Sequence, residues 1–289
     1  MASPASSQKI PQRNNFFGFK SDDSIHVGKV SLSERSHDRR IIILLSITPI
    51  WTLLFTVTPV LINFHGVVAD LYRILEPTVS LPLHYFIMIT SEVFIDPTQE
   101  GRKFLFGLTE RSLLNIWFLV GAAIYAQGCG MHSTAIAIVN DLLPNQEIDE
   151  VAIGYYSYAT GYLIMTWAQL FAYRRQKHDG LDSLKGIIWW ILGGILFGIL
   201  YASVAIEFPR GPLLVIIYVL VIGIPLSIFL FNSKVMFSKG RRLVLQSYLI
   251  GYATTLVIVL IWVAAVGGFK DRKSVGLFVK GGSNSTTTN

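Results

Sequence analysis

Beyond residue 40 the chain alternates long apolar runs with short polar connections. Residues 41–64, 151–173, 186–206, 213–231 and 243–266 each supply roughly the twenty apolar residues that a helix needs to cross a ~30 Å hydrocarbon layer. A sixth run, 113–131, continues through His132 and ends near Val139. The seventh, 81–95, is shorter and contains Pro82, His84 and Glu92; by length it fits an interfacial segment as well as a span. In lipid every backbone polar group must be satisfied within the segment, so these runs predict helices. The expected fold class is all-α, a polytopic integral membrane protein.

Charge decides the status of the seventh run. With seven spans, the alternate connections carry 7 Lys and Arg in residues 1–40, 3 in 96–112, 4 in 174–185 and 4 in 232–242. That is 18 of the 24, and leaves 6 on the opposite side. If residues 81–95 do not cross, the tally is 12 against 12. Basic residues accumulate in cytoplasmic loops, so the pattern predicts a seven-helix transmembrane bundle with a cytoplasmic N-terminus and a lumenal C-terminus. Residues 1–40, polar and Ser-rich, read as a disordered cytoplasmic tail, 41–266 as the seven-span domain, and 267–289 as a short flexible lumenal tail. The tail has no apolar core of a signal peptide, so the first span is expected to act as the targeting signal.

Composition agrees: 52% of residues are hydrophobic and the mean hydropathy is +0.52. The net charge of +6 does not indicate nucleic acid, because the basic residues sit in separate loops without exposed aromatics to stack bases. They suit membrane lipids instead, at about 1 kcal/mol per residue against anionic head groups. Cys129 is the single cysteine, which excludes an intramolecular disulfide. No GxSxG, HExxH or Walker A motif is present, and no cofactor is implied.

The third run holds the most unusual residues. Gln127, Gly128, Gly130, His132, Asn140 and Asp141 gather toward its far-side end, next to Glu147, Asp149 and Glu150. One reading is a polar pocket, because ionisable groups at membrane depth face a cavity or a partner; the other is that His132 sits at the interface, bonded to water and backbone. His132 has no HxxxH or HxxE companion, so spacing offers no metal site. Glu92 reads either as snorkelling toward head groups or as a ligand-pairing carboxylate. Two rows of small residues, Ala122, Ala126, Gly130 and Gly194, Gly198, Ala202, suit close helix packing within the bundle or across a homodimer.

Four stretches together resemble the ceroid-lipofuscinosis neuronal protein 6 family. The first is Ile74-Leu75-Glu76-Pro77-Thr78-Val79-Ser80-Leu81-Pro82-Leu83-His84-Tyr85-Phe86-Ile87-Met88, which is similar to that family's entry into span two. Gly128-Cys129-Gly130-Met131-His132, following Trp117 and followed by Leu142-Leu143, resembles its small-residue and His motif. Tyr155-Tyr156 and Gly161 correspond to a tyrosine run and glycine in span four. Ile206-Glu207, Lys239-Gly240-Arg241-Arg242 and Trp262 repeat its closing layout. The resemblance covers roughly residues 74–262. The chain departs from the family pattern at Ile136, Asn140, Ser157, Tyr158 and Tyr162, where the family carries acidic residues and histidines.

The resemblance implies an endoplasmic reticulum protein that acts without catalysis, self-associates and helps collect newly made lysosomal enzymes for export to the Golgi. It also implies a second multispan membrane protein as partner. Asp141, Glu147, Asp149 and Glu150 then form the candidate lumenal partner loop, within an acidic rim that includes Asp70, Glu76 and Glu207. The competing class is a membrane-embedded lipid or sterol binder or enzyme, with a pocket formed by Gln127, His132, Asn140, Tyr155, Tyr162 and Glu92. Changing His132 alone should disable the second and spare the first.

Overall fold

The computed structural model describes residues 32–61, 67–91, 107–141, 149–176, 178, 181, 183–233, 242–272 and 274–276. The predicted tail through residue 31, the segment from residue 277 onward, and Glu92 and Glu147 lie outside them. The described residues form seven helices: α1 (Leu32–Leu61), α2 (Val67–Thr90), α3 (Glu110–Asp141), α4 (Asp149–Tyr173), α5 (Leu184–Glu207), α6 (Gly211–Asn232) and α7 (Leu243–Val266). Five of them, α1, α3, α5, α6 and α7, are long and apolar enough to cross a membrane, and the chain is a multi-pass membrane protein by that measure. The bundle exterior agrees: Val221, Ile261 and Phe231 are 60–77% exposed, an apolar surface suited to lipid rather than water.

Helices that follow one another run antiparallel. His37 and Thr52 of α1 meet Thr90 and Ser80 of α2, and Gly121 and Gly128 of α3 meet Gly161 and Tyr158 of α4. α1 lies between α2 and α5, α7 packs on α5 and α6, and α4 lies along α3 while reaching α2 and α7.

Three departures from the apolar pattern have physical causes. α1 begins at Leu32 rather than residue 41, because His37 and Asp38 are buried against the end of α2 and the α4–α5 connection. α2 occupies Val67–Thr90 rather than residues 81–95, and runs through Pro77 and Pro82. Glu76 is therefore not part of a lumenal rim: it is 4% exposed, inside the bundle, where hydroxyl donors meet its carboxylate. The segment after α7 folds back on α5. The Arg272 amide donates to the Ile206 carbonyl at 2.9 Å, and its guanidinium grips the Glu207 carboxylate at 2.9 and 3.0 Å.

Helix ends are fixed locally. The Ser183 hydroxyl accepts from the Gly186 amide at the start of α5. The α5–α6 turn places Arg210 at φ 57°, then Gly211, where a side chain would strike the Ala205 carbonyl. At the opposite end of the bundle Glu110 pairs with Arg174 and, at 3.5 Å, with Arg175. Burial lowers the Arg174 pKa and the Glu110 carboxylate raises it. Arg242 lies 4.4 Å over the Phe229 ring; burial lowers it to about 10, so it stays charged at neutral pH.

Candidate functional site

The polar heart of the molecule lies between α2, α3 and α4, and glycines bring those helices close. A Cβ on Gly128 would collide with the Tyr158 backbone, and one on Gly161 with that of Tyr125. One on Gly154 would lie 2.8 Å from the His132 backbone nitrogen, and one on Gly121 2.9 Å from the Gly161 carbonyl. No side chain larger than hydrogen fits this seam without moving one helix off the other.

Glu76 faces the seam from α2. Its carboxylate accepts from the Tyr125 hydroxyl and from Ser80 at 2.9 Å, and Cys129 Sγ lies 3.6 Å away. The Tyr158 hydroxyl stands 3.2 Å from that of Tyr125, and Thr52 of α1 meets Ser80 at 3.0 Å. A buried carboxylate is tolerated only with such a set of donors.

Below it, toward the C-terminal end of α2, His84 and Gln169 are almost completely buried. The Gln169 amide donates to the His84 carbonyl at 2.8 Å, its Oε1 accepts from Tyr248 of α7, and Tyr162 meets the imidazole edge-on at 5.0 Å. The last turn of α2 has carbonyls that no helical amide can reach. Side chains cap them: Tyr173 on Ile87 at 2.7 Å, Ser91 on Met88 at 2.5 Å and His37 on Thr90 at 2.8 Å. Gln176 adds a bond to the Ser91 carbonyl at 2.5 Å. α4 thus presents tyrosine and glutamine along α2, which explains why α4 is less apolar than α5, α6 and α7.

A separate cavity of about 260 Å³ opens between α4, α5 and α6. Its walls include Tyr158, Tyr162, Leu200, Tyr201, Phe208 and Tyr218, so it is mostly apolar with phenol groups on several sides. An oily molecule with an occasional hydroxyl suits such a lining better than a charged one.

Of the residues expected to share one pocket, those whose side chains are described take different places. Gln127 is exposed on α3. His132 is half-buried with its ring 4.1 Å from that of Tyr155, which in turn faces Phe208 at 6.1 Å. Among the described side chains of the set, Tyr162 lines the cavity, packed among Tyr125, Phe197 and Tyr201. Asn140 and Asp141 close α3, and Asp149 and Glu150 open α4.

Gly194 and Gly198 lie against Ile250, Gly251 and Thr254 of α7, and Ala202 is fully buried. On α3, Ala126 and Gly130 face outward, and the packed positions are Gly121 and Gly128. Glu76, His84, Gln169 and Tyr248 are the residues that sequence reasoning did not join. The signal was present for Glu76 and His84, both in the stretch that carries the family resemblance. No family model, curated protein or solved structure matches this chain.

Proposed function

We propose that the chain is a seven-span endoplasmic reticulum membrane protein that acts as a non-enzymatic adaptor for export of lysosomal enzymes to the Golgi. Its N-terminus is cytoplasmic and its C-terminus lumenal, a placement that the distribution of basic residues among the connections supports. It works with a second multispan membrane protein, as the resemblance to the ceroid-lipofuscinosis neuronal protein 6 family implies.

One observation carries this reading: the residues behind the resemblance act as framework. Gly128 packs on Tyr158, Cys129 approaches Glu76, the His132 ring leans against that of Tyr155 and Gly161 packs on Tyr125. Tyr156 donates to the Pro209 carbonyl at 2.7 Å. These contacts hold helices together and are spread along the bundle rather than gathered about one reacting atom. Such a framework supports a scaffold that presents loops to partners.

Replacing Glu147, Asp149 and Glu150 with Ser should reduce co-purification of lumenal enzymes, while His132→Ala leaves it near the native level. Unchanged capture after the loop substitutions would contradict the adaptor role. The α4–α6 cavity favours a second reading, a lipid or sterol binder. In that case a sterol or acyl lipid co-purifies, and Tyr201→Trp, which adds bulk to the cavity wall, lowers the amount retained.

A further inference from the structure

His37 and Asp38 lie early in α1, and His178 lies in the connection between α4 and α5, 140 positions from Asp38. All three are buried, at 6%, 8% and 3% exposure. One ligating atom from each falls within 4.8 Å of the other two. His178 Nδ1 stands 2.5 Å and His37 Nδ1 3.7 Å from the same carboxylate oxygen of Asp38. A tetrahedral ion with bonds of about 2.0–2.1 Å needs its donors roughly 3.3 Å apart, so small side-chain rotations bring this trio onto one centre.

The surroundings fit a ligand set. His37 Nε2 lies 2.8 Å from the Thr90 carbonyl. Donation there fixes the tautomer and leaves the Nδ1 lone pair toward Asp38, the outer hydrogen bond that metal-ligating histidines make. The two imidazoles are nearly parallel, 13° apart with centroids separated by 6.0 Å. The two imidazoles are borderline donors, so beside one hard carboxylate the set suits zinc, cobalt or iron better than magnesium or calcium.

We propose that His37, Asp38 and His178 bind one divalent transition-metal ion of the zinc class, clamping the start of α1 to the α4–α5 connection. A dication there neutralises the buried carboxylate and ties together three parts of the chain, since Thr90 closes α2. Three protein donors leave the fourth tetrahedral position to water or a further ligand. In the seven-span topology the clamp lies at the cytoplasmic end, far along the bundle from the proposed partner loop.

The test uses the full chain in detergent without a histidine tag, stripped with a chelator and titrated with Co²⁺ and then Zn²⁺. The expected result is about one equivalent of Co²⁺ per chain with the visible bands of tetrahedral nitrogen and oxygen ligation, displaced by Zn²⁺. Zn²⁺ raises the melting temperature, and Asp38→Asn and His178→Gln each weaken binding about tenfold or more. No stoichiometric Co²⁺ signal in the native chain overturns the proposal, as does unchanged affinity in either variant. Because the native titration is decisive alone, a variant that fails to fold does not obscure the answer.

Discussion

At the scale of single residues, Glu76 is the side chain on which most polar contacts between α2 and α3 depend. Glu76→Ala leaves the Tyr125 and Ser80 hydroxyls without their acceptor, at a cost of roughly 1–3 kcal/mol. Glu76→Gln keeps an acceptor and recovers much of that. Melting of the detergent-purified protein should therefore fall in the order native, Gln, Ala; equal melting of all three would remove Glu76 as an anchor. Gly161→Val should be worse still, because the Tyr125 backbone cannot move aside, whereas Gly130→Ala, with open space around it, should be neutral within about 0.5 kcal/mol. The sequence shows Glu76 beside Arg73 and Pro77, where it reads as a loop carboxylate. Its burial follows from a tyrosine two helices' worth of sequence away, which no local pattern announces.

Among elements, α5, α6 and α7 are legible from the sequence, because lipid thickness imposes a length that apolar runs display directly. α2 is not. Asp70, Arg73, Glu76 and Pro77 dilute its hydropathy, and its end is completed by hydrogen bonds from α1, α4 and the connection after α4. The same logic separates the two small-residue rows: a three-or-four-residue period marks a smooth face without saying what covers it. On α5 that face meets α7, so Gly198→Leu should lower yield and melting temperature of the monomer rather than only dissociate an oligomer. Size-exclusion chromatography with a melting curve checks this; a stable monomer would contradict it. Tyr173→Phe should cost about 1 kcal/mol by uncapping Ile87. The candidate pocket was less legible than the helices. Gln127 and His132 lie on α3 and Tyr162 on α4, and the two helices present them to different neighbours. His37, Asp38 and His178 meet only because two distant chain segments, the start of α1 and the α4–α5 connection, converge.

For the whole molecule, we propose a seven-span reticulum protein whose exposed connections meet partners; the charge asymmetry of the connections supports the topology, and the α3–α4 framework supports the scaffold role. Tags on the two termini test the topology. After selective permeabilisation of the plasma membrane an N-terminal tag should be accessible to antibody and a C-terminal tag protected; both accessible would mean an even number of crossings. The most direct measurement of the central claim is to delete the protein and quantify, in the same cells, mature lysosomal hydrolases and the sterol and sphingolipid profile. The account predicts depleted hydrolases with lipid intermediates unchanged at early times. A single accumulating lipid precursor with hydrolases intact would contradict it.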